Sequence, residues 1–244
     1  MVDLAASARQ PAVPESVFRV RPRSLAASLW AASAVVVFAG LFREWYVTTF
    51  GFETVAKDLR HLAFNAEYCL PAWYSSLLLA LSAMLLAFAA LSEKRGGGSH
   101  PLHWLLLIPV FIGLSIDEAT GVHEVVIEPL RSGLDLGGFL YFAWIIPGAV
   151  LVGLFGLFYL PFLLALPART RFMFILSGAL YVGGALGMEA VGGKLLTAYG
   201  ETSLPYQVAF CVEEIMEIMG ATLFAASLLG HLKRRFGGTV LVMS

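Results

Sequence analysis

Six runs of apolar residues, each long enough to cross the hydrocarbon core of a bilayer, leave this chain little choice of fold. They fall at roughly 25–43, 72–92, 102–126, 139–166, 172–195 and 206–230. A backbone immersed in hydrocarbon must satisfy its own N–H and C=O groups, and helices do so within one segment. The sequence therefore predicts an all-α polytopic membrane bundle of about six transmembrane helices over residues 25–235. A disordered tail at 1–24 and a short tail at 236–244 flank it. No small-x-small cleavage site follows the first run, which reads as a retained helix. With 59% hydrophobic and 14% charged residues, the composition excludes a soluble domain. A net charge of -1 offers nothing to nucleic acid, and no such partner is expected; the lipid bilayer is the expected surrounding.

Basic residues orient the bundle. Arg9, Arg19, Arg21, Arg23, Lys94, Arg95, Arg169, Arg171, Lys233, Arg234 and Arg235 fall on one side. Arg43, Lys57, Arg60, Arg131 and Lys194 fall on the other. The positive-inside rule makes both termini cytoplasmic and puts the loops 44–71, 127–138 and 196–205 outside. Trp45, Tyr46, Trp73, Tyr74, Tyr141, Trp144, Tyr199 and Tyr206 gather near the outer interface, where amphipathic rings belong. In the loop 44–71, apolar residues alternate with Glu53, Lys57, Asp58, Arg60 and His61, which predicts a short interfacial amphipathic helix able to cover an outward-facing site. Gly96, Gly97, Gly98 and Ser99 form a flexible inner turn between the second and third spans. Pro109 and Pro147 are expected to bend the third and fourth.

Within these runs sit seven acids, Asp117, Glu118, Glu124, Glu189, Glu213, Glu214 and Glu217, with no Lys or Arg among them. An ionised carboxylate in hydrocarbon costs several kcal/mol, so such a set must bind cations, hold protons or face water. At about 1.5 Å per residue, all seven lie toward the outer side. Glu213, Glu214 and Glu217 span about 100° of one helix and face one place. Asp117, Glu124 and Glu128 form a stripe on the third span, while His123 flanks it. Gly121 permits a distortion that would bring His123 round. Asp117-Glu-Ala-Thr-Gly121 echoes Met188-Glu-Ala-Val-Gly192, which puts Glu118 and Glu189 at matching positions of two hairpins. Gly183 and Gly187 make a GxxxG that favours close packing of the fifth span.

Carboxylates around an imidazole are a hard ligand set suited to iron, zinc, manganese or calcium. The favoured reading is a site for one or two divalent metal ions, with Asp117, His123, Glu124, Glu189, Glu214 and Glu217 as ligands. His123, Glu118 and Glu213 are then the candidate acid–base residues, acting on a lipid-like small-molecule substrate by hydrolysis or oxidation. A second reading is a proton- or cation-coupled transporter using the same acids. It is disfavoured because helices 1, 2 and 4 promise almost no buried polar groups below the acid layer. A third is an accessory subunit serving a membrane protein partner or a homo-oligomer, with the acids lining a vestibule or pairing with Arg43, Arg60 and Lys194.

Other features carry less. Cys69 and Cys211 read as packing residues, with a disulfide the lesser alternative. His61 reads as a surface histidine, and His100, His103 and His231 as interface markers. No nucleotide-binding or nucleophilic-serine fingerprint occurs.

The segments Leu114-Ser-Ile-Asp-Glu-Ala-Thr-Gly-Val-His-Glu124, Ala185-Leu-Gly-Met-Glu189 and Glu213-Glu-Ile-Met-Glu-Ile-Met-Gly220 resemble a family of uncharacterised bacterial multipass inner-membrane proteins. The likeness covers the chain from about residue 55. It implies the bacterial inner (cytoplasmic) membrane as the location and implies no activity. Di-iron carboxylate oxidases are similar in drawing acids from several helices, but their Glu-x-x-His pair is missing: Glu214 is followed at i+3 by Glu217. Ceramidase-like membrane hydrolases need more bundle histidines than occur here.

Overall fold

A computed structural model describes residues 17–19, 21–51, 55–64, 66, 68–98, 100–236 and 240–242, with only the backbone at 55–58. Six helices are long and apolar enough to cross a membrane. They are α1 (Pro22–Phe50), α2 (Leu70–Arg95), α3 (Pro101–Thr120), α5 (Ile145–Ala165), a composite over Ala168–Tyr199, and α8 (Leu204–Phe236). The composite is α6 (Ala168–Val182), a π turn at Gly183–Met188 and α7 (Glu189–Tyr199). A short helix α4 (Ile127–Leu134) follows α3. The segments expected as loose tails contribute an antiparallel pair, β1 (Val17–Arg19) with β2 (Val240–Val242), and the first turn of α1, opened by Pro22. Most of their other residues lie outside those described.

The end bearing Lys94, Arg95 and the basic tail of α8 is called inner below, after the positive-inside expectation. α8 is the axis of the bundle: 61% of its membrane window is buried, against 11% for α3 and for α5. α1, α2, α6 and α7 pack around it, and α3 is held by α2. Reciprocal bonds fasten that last pair, Ser76 Oγ donating to the Ser115 carbonyl at 2.8 Å and Ser115 Oγ to that of Ser76 at 2.9 Å. Small residues allow the backbones this approach. In the inner half an apolar cluster gathers around Trp104, Phe162, Phe174, Phe224 and Leu228.

Several local expectations change. α1 continues to Phe50, and the outer segment then forms the expected short helix over Val55–Leu62, of 3₁₀ type and kinked at Leu59. The side chains of 52–58 on which that expectation drew lie outside the described residues. Phe64 plugs the bundle, its ring lying where a Cβ on Gly40 would be, and its N–H donates to the buried Glu44 at 3.2 Å. Pro147 sits in the first turn of α5 and bends nothing, whereas Pro161 lies inside that helix. Trp45, Trp73 and Tyr199 are exposed as interface rings, but Tyr74, Trp144 and Tyr206 turn inward. Cys69 and Cys211 are both buried and free, so packing is their role.

Candidate functional site

The site begins where α3 stops. Gly121 adopts the left-handed conformation (φ 61°, ψ 35°), which glycine reaches without steric cost, and ends the helix. The chain turns into a 3₁₀ segment, Val122–Val126, so the third span ends at Thr120 and not at 126. This distortion carries His123 round onto Asp117. The backbone N–H of His123 donates to Asp117 Oδ1 at 2.8 Å, and its Nδ1 lies 2.9 Å from Oδ2. The stripe of Asp117, Glu124 and Glu128 is correspondingly broken. Glu124 is exposed, and Glu128 is paired with Arg131.

From His123 the network crosses to the opposite helix. The Trp144 ring lies 4.6 Å from the imidazole, and its Nε1–H donates to Glu189 Oε2 at 2.7 Å. Glu189 is buried at the first residue of α7, directly after the π turn, and points inward as expected. The π turn and its glycines let α8 come close. A Cβ on Gly184 would stand 2.8 Å from Glu217 Cγ and 2.9 Å from the Glu213 carbonyl, and one on Gly183 2.9 Å from Met216 Cε. Gly187, the other half of the expected GxxxG, faces open space; Gly184 makes the contact. Gly220 completes the crossing, since a Cβ there would lie 2.7 Å from the Tyr181 amide.

Glu213, Glu214 and Glu217 therefore face Glu118 and Glu189 across the seam between α3, the α6–α7 composite and α8. Glu213 feels the charges of Glu189, Glu214 and Glu118, and Glu217 those of Glu118, Glu214, Glu213 and Glu189. Tyr181 stands beside Glu118 and within electrostatic reach of Glu217, Asp117 and Glu214. Glu124 acts on His123 and Glu189 through its charge. Among the described residues no Lys or Arg forms an ion pair with Asp117, Glu118, Glu189, Glu213, Glu214 or Glu217. The bases weighed as partners are otherwise placed: Arg43 pairs with Glu44, and Lys194 lies 4.4 Å over the Phe139 ring.

His123 lies beyond the end of the spanning helix. Burial works against its protonation, but its hydrogen bond to Asp117 and the charges of Asp117, Glu189 and Glu124 hold its pKa above the ordinary imidazole value. The arrangement offers protons an oriented imidazole and a set of carboxylates that no Lys or Arg neutralises among the described residues. Among the described residues no three His, Cys, Asp or Glu side chains are arranged to hold a metal ion. Both oxygens of Asp117 are engaged by His123, which makes it an orienting group and not a free ligand.

Sequence reasoning missed two features. Trp144 was assigned to the interface, although its indole N–H is the donor that a buried Glu189 requires. Buried polar groups also continue toward the inner end: Ser33 Oγ lies 2.6 Å from Thr222 Oγ1 and 2.9 Å from the Tyr74 hydroxyl, and Ser82, Ser177, Glu93, Thr170 and His231 are buried below. The expectation of an apolar inner half from the early helices is thus corrected. Short hydroxyl side chains hide in small-residue runs, so hydropathy does not reveal them.

No curated protein and no solved structure matches the chain. The family described as a domain of unknown function, DUF8692, matches residues 29–232. That match runs from α1 through α8 and takes in every acid of the site, so the chain belongs to the DUF8692 family.

Proposed function

We propose that this multipass membrane protein is a cation-coupled transporter, in which the carboxylates of α3, α7 and α8 bind protons or small cations that exchange with the outer side through His123. One observation carries the reading: Glu213, Glu214 and Glu217 meet Glu118 and Glu189 with no Lys or Arg paired to them among the described residues. Carboxylates that are buried, as Glu189 and Glu217 are, or half-buried, as Glu118, Glu213 and Glu214 are, need an exogenous counter-charge where no protein base supplies one, and in membranes such residues mark ion and proton paths. The polar groups below the acids remove the objection that the inner half is too apolar for a path. In proteoliposomes, a pH gradient should drive flux that Glu214→Gln abolishes. Wild-type vesicles with no gradient-driven proton or cation movement would overturn the reading.

A divalent-metal site stands second, favoured by the Asp117–His123 pair. An imidazole held at Nδ1 by a carboxylate presents Nε2 in the manner of metal ligands and general bases. His123, Glu189, Glu214 and Glu217, which are not arranged around an ion as they stand, would have to close up to supply that site; Glu118 and Glu213 would move protons, and the reaction would be hydrolysis or oxidation of a lipid-like substrate. Elemental analysis of protein purified without chelator decides it: less than about 0.2 equivalents of metal argues against a preformed site, which should retain its ion.

A further inference from the structure

At the inner end of α8, away from the acid site, a second polar group is closed inside the bundle. Glu93, in the last turn of α2, is 5% exposed, and His231 on α8 is 4% exposed. His231 Nε2 has no hydrogen-bond partner and stands 3.6 Å from Glu93 Oε1, just outside bonding reach. Its Nδ1 lies 3.4 Å from Thr170 Oγ1 on α6, and its ring stacks on Trp104 of α3 at 5.1 Å. Arg235 Nε donates to the same Glu93 oxygen at 3.3 Å, and Arg234 donates to Thr170 Oγ1 at 3.1 Å. The second carboxylate oxygen, Oε2, lies under the glycine turn, where a Cβ on Gly98 would collide with it.

We propose that Glu93 and His231 form a second proton-binding site, at the inner end of the bundle; its role as the inner terminus of a path rests on the transport reading above. A buried imidazole nitrogen that lacks a partner is costly, and a proton on it repairs the defect by making Nε2 a charged donor to Glu93. The charged groups nearest His231 are Glu93 on α2, which attracts a proton, and Arg234 and Arg235 on its own helix, which repel it. From α6 and α3 come only the neutral Thr170 and Trp104. His100 and His103 on the α3 side are one ring further out, stacked about Phe162. Because His231 and Arg235 compete for one oxygen, protonation of His231 shifts Glu93 away from Arg235. The glycine turn is the nearest segment able to yield and expose the carboxylate to the inner solvent. From Glu217 to His231 is fourteen residues along α8, about 21 Å, so the two sites stand at different depths of one helix.

Histidine-labelled full-length protein in nanodiscs tests the site by NMR. The His231 resonance, assigned with His231→Gln, should titrate between about pH 5 and 8, and Glu93→Gln should weaken its proton affinity at least tenfold. A His231 resonance that does not titrate, or one that titrates identically in Glu93→Gln, overturns the proposal. The titration arm uses the wild-type fold, so a variant that misfolds does not rescue a negative result. Flux in proteoliposomes then separates the two readings. Loss of flux in both variants with the outer acids intact supports the role as inner terminus, whereas silent wild-type vesicles with a titrating His231 defeat the transport reading and leave the proton site standing.

Discussion

Two buried carboxylates of this bundle, Glu93 at 5% exposure and Glu217 at 8%, meet opposite fates. Glu93 is met by Arg235 at 3.3 Å and His231 at 3.6 Å and is covered by a glycine turn. Glu217 faces other carboxylates, Glu118, Glu214, Glu213 and Glu189, and a phenol. Burial alone therefore says little about role. What distinguishes the two is whether the protein supplies the counter-charge: where it does, the acid ties helices together, and where it does not, the proposed function assigns the acid an ion from outside.

The largest effect that would break this contrast is on stability. Glu93→Ala removes the counter-charge beside the buried His231 and one acceptor of the half-exposed Arg235, and should cost about 3 kcal/mol in denaturant unfolding of the detergent-solubilised protein. Glu217→Gln should be neutral or stabilising, because it removes like-charge crowding. Equal destabilisation by the two substitutions would make the outer acids structural. Next in size is the close approach of α8. Gly184→Val should cost about 1–3 kcal/mol by overpacking against Glu217 and the Glu213 carbonyl, with cation binding lost along with stability.

A smaller cost, about 1–2 kcal/mol, is expected for Trp144→Phe, which leaves Glu189 without its indole donor. Unchanged stability in that variant would place Glu189 in contact with water. The pH dependence of stability gives the finest discrimination. The pKa of His123 is raised in the fold, so its contribution is fully present below the ordinary imidazole value of about 6.5 and is lost as pH rises through the folded value. His123→Ala should flatten that part of the unfolding profile. A profile identical to wild type would mean that the Asp117–His123 bond does not form.

The helices and the outer acids were legible because both signals are strong: long apolar runs admit one backbone solution, and acids inside them are too costly to be incidental. The convergence of Glu189 with Glu213, Glu214 and Glu217 followed from depth and helical face. The path of the chain after Asp117 did not, since a continued helix and a break at Gly121 fit the same hydropathy, and only the break brings His123 to Asp117. Trp144 was hidden for a different reason. An aromatic near a span end reads as an interface anchor, and its polar atom matters only when a partner from a distant segment meets it. His231 reads as an interface marker, and its pairing with Glu93 requires the parallel packing of α2 with α8, which brings their C-terminal ends together.

The central claim is that the outer carboxylates are neutralised by an exchangeable external cation, and competition between protons and metal ions tests it most directly. Detergent-purified, metal-stripped protein in weakly buffered solution is titrated with sodium and then with calcium while pH is followed. The account predicts proton release in the wild type on addition of at least one of these cations, and its loss in Glu213→Gln/Glu214→Gln/Glu217→Gln. The contrary result is a wild type that neither releases protons nor binds either cation, matching the triple variant throughout.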